Sequence, residues 1–274
     1  MIDRSSVPKP HPGWMKPFAR MGYAARGLVY LVIALFALSA AIRGGEVEDS
    51  RGALETLMAS GPGGIMALVL IAGLAGYSAW RFVQSVFDTD DHGVDPKGLA
   101  VRAGLLTSGA TYAVLAFYVF SLWRGYSSES GGESGSGAFA EFVSGLVGAR
   151  PAAWLFAAVF LGVAGAHVVK AARRGYRRHI QPPGRFVRYL DPIAMTGLGA
   201  RGVVFAVIAI LFFTRGVTGG EGGGETPGLQ DALTYVIALP FGRLLLGMLG
   251  AGLLAFSLYS FCEALWRRIN VEDA

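Results

Sequence analysis

Long apolar runs separated by short charged stretches dominate this sequence. Six of them, Met21–Ile42, Gly64–Phe87, Ala103–Trp123, Pro151–Val169, Ile193–Thr214 and Leu244–Cys262, contain few charged residues. Each is near the ~20 residues an α-helix needs to cross a hydrocarbon core about 30 Å thick. Gly and β-branched residues are frequent inside them. A membrane helix tolerates these because hydrocarbon offers its backbone no other hydrogen-bond partner. The polar–apolar alternation over about ten residues that builds a membrane β-barrel is absent. The pattern predicts an all-α polytopic membrane protein with six transmembrane helices.

Composition agrees. Of 274 residues, 53% are hydrophobic and 16% charged, and the mean hydropathy is +0.48; soluble proteins carry about 25% charged residues. A water-soluble fold of this composition would expose apolar surface it cannot cover. The single cysteine, Cys262, excludes an internal disulfide framework, a thiolate zinc site and a cysteine-ligated iron–sulfur cluster. The net charge of +5 does not form a nucleic-acid patch, because the basic residues punctuate the apolar runs. No nucleic-acid partner, cofactor or metal is expected.

The placement of that punctuation sets an orientation. Fifteen Lys and Arg residues fall on the side of the N-terminus, including Arg20, Lys97, Arg102, the cluster from Lys170 to Arg188, and Arg267, against six on the other side. The positive-inside rule then places both termini in the cytoplasm. The densest basic segment, Lys170–Arg188, is expected against anionic lipid headgroups and also serves as a topology signal. Basic residues before Leu28–Leu38 and the small-residue site Ala37-Leu38-Ser39 outline a cleavable signal peptide. The recurrence of the same helix later in the chain argues that it is retained.

That recurrence is visible in register. Arg20–Tyr30, Arg102–Tyr112 and Met195–Phe205 align, with Gly22, Gly104 and Gly197 opposite one another, then Arg26, Ser108 and Arg201, then Gly27, Gly109 and Gly202, then Tyr30, Tyr112 and Phe205. The partner helices align as Gly73–Phe82, Gly162–Ala171 and Gly252–Phe261. After an N-terminal tail over 1–17, the reading is three tandem two-helix units over 18–88, 100–177 and 192–269. Each unit crosses twice, so all enter from one side, and parallel repeats of this kind are related by an axis along the membrane normal. A ring about a pseudo-threefold axis is the simplest closed arrangement. Recurring small residues such as Gly104, Ser108, Gly73, Gly76, Gly162, Gly165, Gly247 and Gly250 are read as helix-packing positions.

Between the helices of each unit lies a Gly-led amphipathic turn, at Gly52–Ser60, Gly137–Gly148 and Gly228–Leu239. Phe139, Phe142, Val143 and Leu146 follow helical spacing, as do Leu233, Val236 and Ile237 beside Asp231. Short interfacial helices on the outer leaflet are expected there. They follow Gly/Ser/Glu-rich linkers at Ser127–Gly137 and Gly216–Gly228.

These residues resemble the bacterial membrane-protein family called domain of unknown function 1206. The resemblance rests on the triplicated hairpin, on Arg26-Gly27-Leu28-Val29-Tyr30, on Pro240–Leu245 and on Gly73–Arg81. The middle copy departs from it, with Ser108 in place of Arg and Ala166 and Val169 in place of aromatics. The resemblance implies a six-helix protein of the bacterial inner membrane and supplies no activity or catalytic residue.

Candidate chemistry is sparse. Asp191-Pro192 reads as an N-cap followed by Pro at the first helical position, which sets Arg201 about ten residues into its helix. An arginine at the bilayer centre costs ~2.5–3.5 kcal/mol on insertion scales and is a functional hypothesis by default. If the first helices line the axis, Arg26, Arg201 and Ser108 converge on a cationic pocket for a lipid phosphate or small anion. The plainer reading has each arginine snorkelling to the headgroups or pairing locally, with Glu263 as a partner. His167 is an intramembrane polar position, read either as a proton relay or as a neutral imidazole bonded near the interface.

Two motifs fail on inspection. Asp88–Gly93 mimics the start of a calcium loop, but Leu99 stands where the bidentate Glu belongs. Gly197–Gly202 spells a dinucleotide fingerprint inside a membrane helix, where that fingerprint has no meaning. Tyr77, Trp80, Trp123, Trp154, Tyr259 and Trp266 are expected in the interfacial aromatic belt. The sequence therefore points to a non-enzymatic scaffold, lipid-binding protein or partner subunit of another membrane protein. A small-anion channel or transporter is the alternative.

Overall fold

The fold was taken from a computed structural model, which describes residues 12–43, 55, 63–88, 93–124, 143–178, 180–218 and 229–267. The N-terminal tail before residue 12, most of the turn at 52–60, positions 137–142 and most of the acidic loop after Asp88 lie outside the described residues. The helices are α1 Pro12–Arg43, α2 Gly63–Phe87, α3 Pro96–Trp123, α4 Ala149–Ala172, α5 Val187–Thr218, α6 Leu229–Ala238 and α7 Gly242–Trp266. All but α6 are long and apolar enough to span a membrane, giving the six expected spans. Among the described residues β structure is limited to one isolated bridge, between Ile180 and Arg267.

Packing order follows the small residues. The most extensive contacts pair α7 with α1, α4 with α5 and α2 with α3, followed by α1 with α2 and α5 with α7. The bundle thus runs α3–α2–α1–α7–α5–α4. The two end helices, α3 and α4, are only 17% and 22% buried along their spans, against 44–50% for the others. In the α1–α2 pair a Cβ at Gly73 would lie 2.8 Å from the Ala25 Cβ and 3.0 Å from the Met21 carbonyl oxygen. In the α5–α7 pair a Cβ at Gly197 would lie 2.6 Å from the Phe256 Cα, and Gly252 faces Ala200. Close backbone approach of this kind holds helices together where lipid removes the hydrophobic drive for association.

Two similar hydrogen bonds pin α2 to α3 and α7 to α1. Ser78 Oγ donates to the Gly109 carbonyl and Ser257 Oγ to the Gly27 carbonyl, each at 2.7 Å. Between these contacts a shared apolar core includes Ile33, Leu70, Leu74, Leu246 and Leu253, all fully buried. The α6 stripe joins this core: Ala232, Leu233 and Val236 are buried and Asp231 is exposed. The chain then reverses through Phe241, at φ +61° and 83% exposed, where the Gly242 N–H donates to the Leu239 carbonyl at 2.8 Å.

The helix ends that carry the chain's entry and exit form a basic end. There α4 stops at Arg174, in the left-handed region with φ 51°, and the connection to α5 folds back on α7. The Gln181 N–H donates to the Trp266 carbonyl at 3.0 Å and Phe186 stacks on Trp266 at 5.2 Å.

One sequence expectation is corrected here. Asp191 is not an N-cap: α5 begins at Val187 and Pro192 lies inside it. The Asp191 carboxylate instead accepts from Tyr176 Oη at 3.0 Å and pairs with Arg177 and, at 3.4 Å, Arg174. With its carboxylate committed to the loop, Asp191 leaves the helix start to the preceding turn, and Arg201 lies about 21 Å from the first residue of α5. Burial, and then the bonded Asp191, hold the Tyr176 hydroxyl up at about 12, so it remains the donor of that bond.

Gly197→Ala is expected to lower stability by about 1–3 kcal/mol through overpacking. Gly162→Ala, on the open side of α4 with nothing within 4 Å, is expected to change little. Thermal unfolding in detergent, followed by tryptophan fluorescence, compares the two. Asp191→Asn should loosen the α4–α5 connection and speed tryptic cleavage in Arg174–Arg178, read by limited proteolysis.

Candidate functional site: a buried charge cluster at the basic end

Arg26 sits on the face of α1 that α2 and α7 approach over Gly22 and Gly27. It is 4% exposed, and each guanidinium nitrogen has a partner. Nη1 donates to Tyr77 Oη at 2.8 Å, Nε to Ser260 Oγ at 3.2 Å, and Nη2 pairs with Glu263. The second oxygen of Glu263 accepts from Arg267 Nη1 at 2.6 Å. Aromatic rings wall the guanidinium, with centroids at 5.1 Å for Tyr23, 5.2 Å for Phe256 and 5.4 Å for Tyr77.

A buried ion pair repays its desolvation only when hydrogen bonds satisfy the remaining donors and lone pairs. For Arg26 and Glu263 that condition is met. Glu263 also lies in the field of Lys170, whose ammonium is 5.9 Å from the Tyr259 ring. Arg81 completes the cluster, donating to Tyr77 Oη and, at 3.0 Å, to Gln84 Oε1. Arg26, Arg267, Lys170 and Arg81 thus lie around one carboxylate and three tyrosine rings, those of Tyr23, Tyr77 and Tyr259. Buried donors remain over: Tyr23 Oη, Trp80 Nε1 and Arg81 Nε have no hydrogen-bond partner among the described residues.

Arg201 occupies a different environment. Its guanidinium carbon is 4.8 Å from the Phe256 centroid, 5.2 Å from Phe205 and 5.3 Å from Tyr30. Its Nε is buried without a hydrogen-bond partner, and none of its ion pairs falls among the described residues. Arg26 and Arg201 therefore meet at the same phenyl ring, one fully bonded and one not. Ser108 is half-buried on α3 and makes no hydrogen bond to either guanidinium. His167 Nδ1 donates to the Val163 carbonyl of its own helix at 2.9 Å, and its ring lies 5.2 Å from Phe205.

Several of these roles escape a reading of the sequence. Glu263 does not: it is the local partner the sequence offers the arginines, and Arg26 takes it. Ser260 and Arg267 do, because what places the end of α7 beside α1 is packing between segments more than 230 residues apart. Tyr77, Trp80 and Tyr259 were expected at the membrane interface, and the structure corrects this. All three are buried, at 1%, 3% and 1% exposure. Tyr77 accepts from Arg26 and Arg81, Tyr259 lies beneath Lys170, and Trp80 packs in one cluster with Tyr23 and Tyr77, since buried cations favour ring faces and hydroxyls. Trp123 and Trp154 are exposed, at 42% and 49%. Among the described residues no three His, Cys, Asp or Glu side chains group closely enough to hold a metal ion.

Comparison with known proteins places this arrangement in context. The family model described as Domain of Unknown Function (DUF1206) matches residues 21–88 and 196–267. Its two segments begin at the aligned positions Met21 and Thr196 and cover α1–α2 and α5–α7. An uncharacterized protein of Bacillus subtilis (strain 168), YxxB, is similar at 27% identity over 268 residues, covering 94% of each chain. No solved structure matches the chain significantly.

Removing the carboxylate should expose the cost of its burial. Glu263→Gln leaves Arg26 and Arg267 uncompensated and is expected to cost about 3–5 kcal/mol. Adding Arg26→Gln to that variant should cost far less than the sum of the two single changes. A double-mutant cycle on thermal unfolding in detergent measures the coupling.

Proposed function

From the premise that this chain belongs to the Domain of Unknown Function 1206 family, we propose that it is a non-enzymatic protein of the bacterial inner membrane. In this reading both termini are cytoplasmic, and the basic end seats on anionic lipid, where it presents a platform to a membrane-protein partner. One observation carries the proposal. Arg173, Arg174, Arg177, Arg178 and Arg185 in the α4–α5 connection and Arg188 at the start of α5 are all exposed, in the segment whose Phe186 stacks on Trp266. Exposed arginines framing an aromatic pair fit the headgroup layer, where each basic residue gains about 1 kcal/mol from anionic lipid. Phosphates suit them because the guanidinium fork binds two oxygens at once.

The wider architecture belongs to the same proposal. Three tandem hairpins stand about a pseudo-threefold axis, with each second helix against the first helix of the next hairpin. The pairings of α2 with α3, α4 with α5 and α7 with α1 support this order. So does the repetition of the Ser78–Gly109 bond at Ser257–Gly27. The middle hairpin differs in that α3 and α4 lack extensive mutual contact.

In nanodiscs of mixed phosphatidylglycerol and phosphatidylethanolamine, the protein should release with bound phosphatidylglycerol by native mass spectrometry. Arg185→Gln with Arg188→Gln should reduce that retention. Equal retention of both lipids by the unaltered protein would sink the headgroup reading. In a Cys262→Ala background, single cysteines placed in either tail should be blocked only by a membrane-permeant maleimide in intact cells.

A further inference from the structure

The α1–α7 and α5–α4 interfaces are register equivalents, and what they do with their arginines differs sharply. Arg26 meets Tyr77, Ser260 and Glu263. The positions aligned with these around Arg201 hold Phe256, Lys170 and Arg173. Every acceptor has been replaced, two of them by cations, while three rings, Tyr30, Phe205 and Phe256, wall the guanidinium. Its Nε is buried with no acceptor, and leaving a donor in that state is costly, so this interface is incomplete as it stands.

Polar groups lie nearby. Tyr112 packs with Tyr30 on the shared core and sits edge-on to Tyr77 at 4.6 Å, and the His167 ring is 5.2 Å from Phe205, one of the rings that wall Arg201. Neither the Tyr30 nor the Tyr112 hydroxyl is bonded among the described residues, and neither residue is fully buried.

A way in is also present. Gly22 and Gly197, and Gly73 and Gly252, are packed against a facing helix, whereas their aligned counterparts Gly104 on α3 and Gly162 on α4 have nothing within 4 Å. The two faces that would close the middle hairpin stand open. Tyr112, His167, Arg201 and Phe205 are all only partly buried.

We propose that Arg201, with the Tyr30 and Tyr112 hydroxyls, forms an internal oxyanion site entered sideways between α3 and α4. It accepts a phosphate- or carboxylate-class group. The guanidinium offers a bidentate fork and the phenols add neutral donors, and the bound oxyanion supplies the acceptor that Glu263 supplies to Arg26. Ser108 stands one helical turn before Tyr112 at the mouth of the opening. The occupant is either a lipid headgroup, its acyl chains lying over Gly104 and Gly162, or a free anion. The site is independent of the surface arginines.

The test uses the full-length protein in phosphatidylcholine nanodiscs, with two probes. Inorganic phosphate is followed by thermal shift, and added phosphatidylglycerol by native mass spectrometry. Arg201→Gln should weaken binding about 10–100-fold, the range for loss of hydrogen bonds to a charged group. Gly162→Phe, which fills the opening without touching a charge, should weaken it at least tenfold while leaving the unliganded melting temperature near its original value. Arg185→Gln with Arg188→Gln should leave phosphate affinity unchanged. Binding of phosphate with this pattern identifies a free-anion site, and retention of phosphatidylglycerol with this pattern identifies a lipid site. Failure of both probes to bind, or binding that survives both Arg201→Gln and Gly162→Phe, overturns the proposal, and neither outcome bears on the surface arginines.

Discussion

Hydrocarbon gives a guanidinium nothing to bond to, so an arginine placed there must find its partners in protein. Arg26 finds them on two different helices at once, Tyr77 on α2 and Ser260 with Glu263 on α7. This requirement explains much of the surrounding structure. Gly22 and Gly27 bring the neighbouring helices within reach, the rings of Tyr23, Tyr77 and Phe256 wall off lipid, and Arg267 shares the carboxylate so that neither oxygen is left bare. The ion pair contributes little net attraction after desolvation. Its larger effect is on specificity, because an arrangement of helices that separates α1 from α7 strands both charges.

Much of this architecture is legible in the sequence for a physical reason. In a membrane the element length is set by bilayer thickness, so the six apolar runs announce their helices directly, and the α6 stripe announces itself by its period. Alignment of Gly22 with Gly197 and Gly73 with Gly252 marks close-packed positions, and the structure packs all four. Harder to read is anything decided by competition between partners. Asp191 has the form of a cap but is drawn to Tyr176 and Arg177. Tyr77, Trp80 and Tyr259 have the form of interfacial anchors, but cations draw in Tyr77 and Tyr259, and Trp80 packs inside with Tyr77. Arg26 and Arg201 are indistinguishable in their local sequence, and only the residues carried by the opposing helices separate a satisfied arginine from an unsatisfied one.

The family model covers most of α1–α2 and of α5–α7 and leaves α3 and α4 unmatched. Those two helices keep small residues at Gly104 and Gly162 yet lack extensive mutual contact, and they are the least buried of the spanning helices. Neither position 108, a Ser, nor position 166, an Ala, offers a charge or a ring like those that join α1 to α2 through Arg26 and Tyr77. The small faces therefore remain available without a partner that compels them to meet.

The partnership of Arg26 with Glu263 also sets a schedule. The carboxylate lies 237 residues downstream of the guanidinium, on α7. Until α7 is made, α1 carries a cation into the bilayer with no counter-ion yet synthesised. It must hold that charge at the headgroup boundary, or beside the insertion machinery, until that crossing arrives. Synthesis of α7, and not merely insertion of α1, is what locks α1 at its final depth.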